Sequence, residues 1–271
     1  MSTARVIAIA NQKGGVGKTT WTLFLARSGL IHWGARVLVV DMDPSGNATT
    51  GLLEQRRPGD SVGLADALAP STNLSLRDVI VPTRWEGVDL APASVALTAA
   101  DSQVAAMQFG REHRLREVLE PVRGDYDLIV IDNAPSLLGM LLVNSLAAAD
   151  AALLVTAPDT WSSDGLALLA RTLGGVKRHL NPGLEILGCV VNMWQNTTVD
   201  QRVTNDLVTG MATAFPGVPV WTDRRIPRTV KIRDAIDHGI GLDQADAKLR
   251  VLHDDCVRPI TGAILGRTVT V

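Results

Sequence analysis

Ten consecutive residues, Asn11-Gln12-Lys13-Gly14-Gly15-Val16-Gly17-Lys18-Thr19-Thr20, combine three glycines, two lysines and two hydroxyls. An apolar β-branched run, Val6–Ala10, precedes them, and a helix-period stretch, Thr19–Trp33, follows. A turn of this kind lets backbone N–H groups curl around phosphates at a helix N-terminus. Glycine suits it because a Cβ would block the close approach and the positive φ values. Lys18 would reach the β- and γ-phosphates and the Thr19 hydroxyl would ligate Mg2+. Gly14, Gly15, Val16, Gly17 and Thr20 complete the cradle. The strict phosphate-loop spacing fails at one position: Gln12 stands where the first glycine is expected, and a second lysine, Lys13, opens the loop.

Carboxylates follow at two other strand ends. One apolar run leads into Asp41-Met42-Asp43-Pro44-Ser45-Gly46-Asn47, and alternation puts Asp41 and Asp43 on one side of that strand. Another leads into Asp132-Asn133-Ala134-Pro135-Ser136, which has the form of a Mg2+-supporting acid beside a phosphate loop. Taken alone, these acids also fit a metal pair without nucleotide, or turn formers. The guanine signature Asn-Lys-x-Asp is absent, which favours adenine.

The elements that must position these groups are legible from hydrophobic runs. Val6–Ala10, Val37–Val40, Val88–Ala91, Leu128–Ile131, Ala151–Thr156 and Ile186–Val191 read as strands buried on both faces, hence as a parallel sheet. Thr19–Trp33, Leu97–Met107, Arg111–Val122, Ser136–Ala149, Ser162–Leu180 and Asp200–Phe215 read as helices, and Asn181-Pro182-Gly183 is a stop signal. The alternation predicts one doubly wound α/β domain over residues 1–271. A last helix is expected over Gln244–Leu265, across the sheet edge. Arg56–Pro82 shows only weak periods.

Composition agrees. Apolar residues make up 46% and charged residues 20%, which excludes disorder. Only ten residues are aromatic, so the core must be aliphatic. Cys189 and Cys256 make no disulfide framework, fit a reducing cytosol, and Cys189 lies in an apolar run. No signal peptide opens the chain, and Leu137–Ala157, though largely apolar, is broken by Asn144, Ser145 and Asp150. The five histidines lie apart without i,i+4 pairing, which predicts no histidine metal centre. Net charge is only −2, so nucleic-acid contact needs a local patch. Between Asp223 and Arg233 five of eleven residues are basic: Arg224, Arg225, Arg228, Lys231 and Arg233. They fit either a DNA-backbone surface or ion pairs with Asp223, Asp234 and Asp237.

The loop Lys13–Thr20 resembles the deviant Walker A of the ParA/MinD ATPases. Asp41–Asn47 is similar to that family's DxDPQGN segment, Asp127–Ser136 to its DxIxIDxPPS segment, and Ile226-Pro227-Arg228-Thr229-Val230-Lys231 to the IPRNVR stretch of small chromosomal-type ParA proteins. The resemblance runs from Val6 to about His238. It implies a P-loop ATPase fold, ATP and Mg2+ as cofactors, and a nucleotide-sandwich homodimer in which Lys13 touches the partner's phosphates. It implies that Asp43 orients the attacking water, that Asp41 and Asp132 support Mg2+, and that the Asn192–Thr198 and Ile226–Arg228 segments build the adenine pocket. It tilts the basic cluster, Lys231 included, towards nonspecific DNA binding. The expected partner is a ParB-like centromere-binding protein and the expected location the cytoplasm, on the nucleoid. Positioning of a protein cargo and MinD-like regulation of division are the alternatives. Ser45, Asn133-Ala134 and Trp194–Thr198 depart from the family pattern. The tail Gly262–Val271 lacks a basic amphipathic helix, which argues against membrane attachment.

Overall fold

A computed structural model describes residues 3–11, 13–53, 61–135, 139–158 and 162–267. The apolar runs form strands β1 (Arg5–Ala10), β2 (Val37–Met42), β4 (Val88–Ala91), β5 (Leu128–Asn133), β6 (Ala151–Thr156) and β7 (Glu185–Val191). Two short strands, β3 (Val81–Pro82) and β8 (Val220–Trp221), complete one sheet in the order β3-β4-β2-β5-β1-β6-β7-β8. All neighbours pair in parallel except β3 with β4. Residues in β3 and β8 are too few to show a period, which is why the sequence did not display them.

The sheet is buried on both faces, and side-chain parity assigns each residue to a layer. Val6, Ala8, Leu38, Val40, Ile129 and Ile131 enter one core. Ile7, Ile9, Val37, Val39, Leu128 and Val130 enter the other. Each such Val, Leu or Ile side chain contributes about 1.5–3 kcal/mol when removed from water. The first core is covered by α3 (Leu64–Leu68), α4 (Leu76–Val79), α5 (Leu97–Ala105), α6 (Arg114–Leu119), α7 (Met140–Ala148), α8 (Ser163–His179) and α9 (Thr198–Ala214). The second is covered by α1 (Lys18–Trp33), α2 (Asn47–Leu52), α10 (Val230–Asp237), α11 (Ala247–Leu252) and α12 (Arg258–Ile264). Because Asp41 and Asp132 share the parity of Val39 and Val130, they face the α1 layer, and they are register partners on adjacent strands.

Two expectations are corrected. The helix expected over Gln244–Leu265 is broken into α11, a π-helical turn at His253–Val257, and α12. Asp246 caps α11, accepting from Leu249 N–H at 3.0 Å. Pro259 supplies no N–H and its ring opposes a regular preceding turn, which the wider π turn accommodates. These elements pack on α1, with Leu249, Cys256, Val257, Ile260 and Ile264 joining Trp21, Phe24 and Leu25 in one core, rather than across the sheet edge. The helix expected over Ser136–Ala149 begins at Met140, and Ser136, Leu137 and Leu138 lie outside the described residues. So does part of the weakly periodic Arg56–Pro82, whose remainder holds α3, α4 and β3. Cys189 and Cys256 are both buried free thiols, and burial pushes Cys189 up to about 12.

Candidate functional site

The loop after β1 enters α1 through Gly17, whose φ of 92° lies in the left-handed region. A Cβ there would meet Asn192 Nδ2 at 1.8 Å. That amide donates to Val16 O at 2.8 Å, and Asn192 N–H donates to Thr156 O at 2.7 Å, so the end of β7 holds the loop's backbone. Gly17→Ala is expected to lose this clasp and to force an L-residue into a left-handed conformation. The two effects together are about 2–3 kcal/mol. Thermal unfolding should show the fall in midpoint; an unchanged midpoint would mean the loop relaxes freely.

Lys18 begins α1 with 6% exposure, and its Nζ donates to Lys13 O at 3.1 Å. Burial lowers its pKa, while Asp132 and Asp43 oppose that shift. One turn of α1 presents two hydroxyls to Asp132: Thr19 Oγ1 donates to Oδ2 at 2.7 Å and Thr22 Oγ1 to Oδ1 at 3.2 Å. Asp132 has no exposure, and burial, followed by the Asp41 charge, raises it to about 8. Asp41 is equally buried and raised to about 6 by burial. Its Oδ2 accepts from Thr49 N–H at 2.8 Å and Thr49 Oγ1 at 2.7 Å, and its Oδ1 from Asp43 N–H at 3.1 Å. Asp41 therefore anchors α2 behind Asp132. A carboxylate and hydroxyl converging under a lysine form a hard-oxygen set of the kind Mg2+ takes.

Asp43, just beyond β2, is 9% exposed. Its Oδ1 accepts from Ser45 N–H at 2.9 Å and Ser45 Oγ at 2.7 Å, so Ser45 fixes the carboxylate. Lys13 is exposed, its N–H bonds Asn11 Oδ1 at 2.9 Å, and its side chain makes no polar contact among the described residues. Gly14 and Gly15 are also exposed, and Val16 is buried in the α1-face core.

Beside the loop opens a cavity of about 660 Å³, lined by Thr19, Thr20, Asn192, Met193, Ile226, Pro227 and Arg228 together with residues of α2 and α10. The two segments expected at a base edge meet here. Trp194 N–H donates to Ile226 O at 2.9 Å and Arg228 N–H to Trp194 O at 3.1 Å. Met193 turns the chain with φ 53°, uncommon for a residue with a side chain. A second cavity, of about 540 Å³, lies at the opposite edge of the strands, where Arg5 pairs with Glu185 and Arg123 with Asp150.

The basic cluster is largely compensated. Arg224 pairs with Asp223 at 2.9 Å, Lys231 with Asp246, and Arg233 with Asp237 at 3.7 Å. The Arg225 guanidinium lies 4.7 Å from the Trp194 ring centroid. Arg228 lines the cavity. Two of the histidines meet in the fold: His32, in the last turn of α1, and His253 stack at 5.2 Å beside Asp254, a proximity that a separation of 221 residues hides. Burial lowers both imidazoles, His253 to about 4.

Thr22, Thr49 and Ser45 were not among the residues expected at the site. Thr22 carried a signal, lying one helical turn after Thr19; Thr49 carried none.

A family model described as an AAA domain matches residues 4–186. The chain is 38% identical over 241 residues to the chromosome partitioning protein ParA of Caulobacter vibrioides, covering 87% of this chain and 85% of that one. It is 35% identical over 235 residues to the sporulation initiation inhibitor protein Soj of Bacillus subtilis, covering 87% and 88%. An uncharacterised Mycobacterium tuberculosis protein is 41% identical over 199 residues, 73% of this chain, and the match spans only 61% of its length. Among solved structures, cobyrinic acid a,c-diamide synthase of Mycobacterium smegmatis, with an ATP analog and magnesium, superposes with TM-score 0.79 at 30% identity, covering 97% of both chains. MinD of Pyrococcus horikoshii with Mg-ADP gives 0.70 at 26%, covering 96% of both. With a sheet of this order, a two-lysine loop and these relatives, the chain belongs to the ParA/MinD family.

Proposed function

We propose that this chain is a single-domain ATPase that binds Mg2+-ATP, closes into a homodimer, and in that state binds DNA nonspecifically to segregate a replicon with a centromere-binding partner. ATP and water become ADP and phosphate. The observation that carries this reading is the pair of lysines on one loop. Lys18 is buried against the carboxylates, and Lys13 is exposed beside it without a side-chain partner among the described residues.

Phosphoryl transfer needs positioning and charge neutralisation more than covalent chemistry. Gly14–Gly17 and Thr20 present N–H groups to the phosphates, and Lys18 neutralises the β- and γ-oxygens. Thr19 would hold Mg2+, with Asp132 and, behind it, Asp41 in support, and the ion when bound would neutralise charge on the phosphates. Asp43 orients the attacking water, and Ser45 holds its carboxylate in place. The base and ribose occupy the cavity beside Asn192, Pro227 and Arg228. Lys13 reaches the phosphates of the second protomer, so ATP builds the dimer and the dimer completes the site.

Arg224, Arg225, Arg228, Lys231 and Arg233 form the DNA surface, with Arg224, Lys231 and Arg233 released from their acidic partners by phosphate competition. The protein acts in the cytoplasm on the nucleoid, with a ParB-like partner stimulating slow hydrolysis. Among the described residues no helix is long and apolar enough to cross a membrane. The test is DNA retention measured with no nucleotide, ADP, ATP and a slowly hydrolysed analogue; retention independent of nucleotide would overturn the reading. Arg224 and Lys231 lie outside the cavity. Reversing both to glutamate is expected to flatten the salt dependence of log K by about 1.8 while leaving ATP affinity unchanged. An unchanged slope would place the DNA surface elsewhere.

A further inference from the structure

We propose a second metal site, for Zn2+ or a similar transition-metal ion, formed by His32, His253 and Asp254 at the C-terminal end of α1, the end opposite the phosphate loop. The three ligand atoms lie within 4.8 Å of one another. His32 Nε2 stands 3.3 Å from His253 Nδ1 and 3.1 Å from Asp254 Oδ1, and His253 Nδ1 stands 3.8 Å from the same oxygen. Ligands held about 2.0–2.1 Å from a tetrahedral zinc lie about 3.3 Å apart, so these spacings are close to three edges of such a tetrahedron. Two imidazoles and one carboxylate leave a fourth position, for water.

The local fold explains the convergence. Consecutive residues of a regular helix point about 100° apart, yet His253 and Asp254 both reach one atom of His32. They open the π-helical turn at His253–Val257, a distortion found often at functional sites. The pocket is graded: His253 has no side-chain exposure, His32 has 17%, and Asp254 has 40%, which leaves an entry path for an ion. Imidazole donors select transition metals over Mg2+, so the site is chemically distinct from the Thr19–Asp132 pair. An ion here would tie the end of α1 to the C-terminal helices that cover it.

The experiment is equilibrium dialysis of the full chain against Zn2+ in excess Mg2+, with Co2+ as a spectroscopic probe. One Zn2+ per chain is expected, with the visible bands of tetrahedral Co2+ and a rise in melting temperature on adding Zn2+. His32→Ala and Asp254→Asn should each weaken binding at least tenfold, while His238→Ala, outside the cluster, should not. Asp254 is exposed enough that its amide variant keeps the fold if His32→Ala does not. Binding that is substoichiometric, or that survives both substitutions, or Co2+ spectra without tetrahedral bands, would overturn the proposal.

Discussion

Asp43→Ala is expected to lower ATP turnover at least a hundredfold while leaving ATP affinity within a few-fold of the unmodified protein. A hundredfold is about 2.7 kcal/mol of transition-state stabilisation, within what a positioned carboxylate supplies. The carboxylate lies 9% exposed at the end of β2, and both hydrogen bonds from Ser45 fall on Oδ1. A residue acting on the attacking water changes kcat, whereas one that only closes the turn changes stability. Losing the hydrogen bonds of a buried charged acceptor costs about 1.5–3 kcal/mol each, so alanine alone cannot separate the two roles. Asp43→Asn can: its amide oxygen still accepts from Ser45 but holds a water without basic character. The expectation is an asparagine variant that melts near the parent and turns over as slowly as alanine, and that accumulates as an ATP-bound dimer in light scattering. An asparagine variant with parental turnover would reduce Asp43 to a turn-forming residue.

How much of this was visible in the sequence depends on where the information sits. Strands buried on both faces are mostly apolar, so Ala151–Thr156 could be bounded to the residue, and so could Val88–Ala91 although Asp89 interrupts it. Strands β2 and β5 run two residues past their apolar runs, because each run ends at a carboxylate of the site, Asp41 or Asp132, and one further residue, Met42 or Asn133, still pairs in the sheet. The polarity that marks function there hides the strand end. The C-terminal region failed for a different reason. Leu249, Val257 and Ile260 keep a helical period, and periodicity alone cannot register the interruption that accompanies Pro259.

Within the site, residues that touch a phosphate through one local loop were legible because a ten-residue stretch contains the whole geometry. Thr49 was not, since its contact with Asp41 follows from where α2 packs, eight residues on. The basic cluster shows the converse. Arg224, Lys231 and Arg233 read as a positive run, but a linear count cannot see Asp246, fifteen residues beyond Lys231, arriving as its partner. Charge patterns predict composition of a surface, and only the fold decides how much of that charge is free for a ligand.

Lys13→Ala separates the two lysines. The side chain is exposed and without a polar partner among the described residues, so its removal should alter stability by no more than about 0.5 kcal/mol. Nucleotide binding to a single protomer should persist, because Lys18, Thr19 and the acids behind them stay in place. The dimer should not persist. A two-fold interface uses the residue twice, and each charge-assisted contact to a phosphate is worth about 1.5–3 kcal/mol. The pair therefore contributes about 3–6 kcal/mol, or roughly 10²–10⁴ in the dimer dissociation constant. Sedimentation velocity with a slowly hydrolysed ATP analogue measures this directly, and equilibrium nucleotide titration in the same buffer reports the protomer's own affinity. Lys13→Arg, which keeps the charge but changes the donor geometry, should recover part of the association. A variant lacking Lys13 that still dimerises with ATP would mean that each protomer neutralises its triphosphate alone, and the coupling of dimer to hydrolysis would then have to come from another residue.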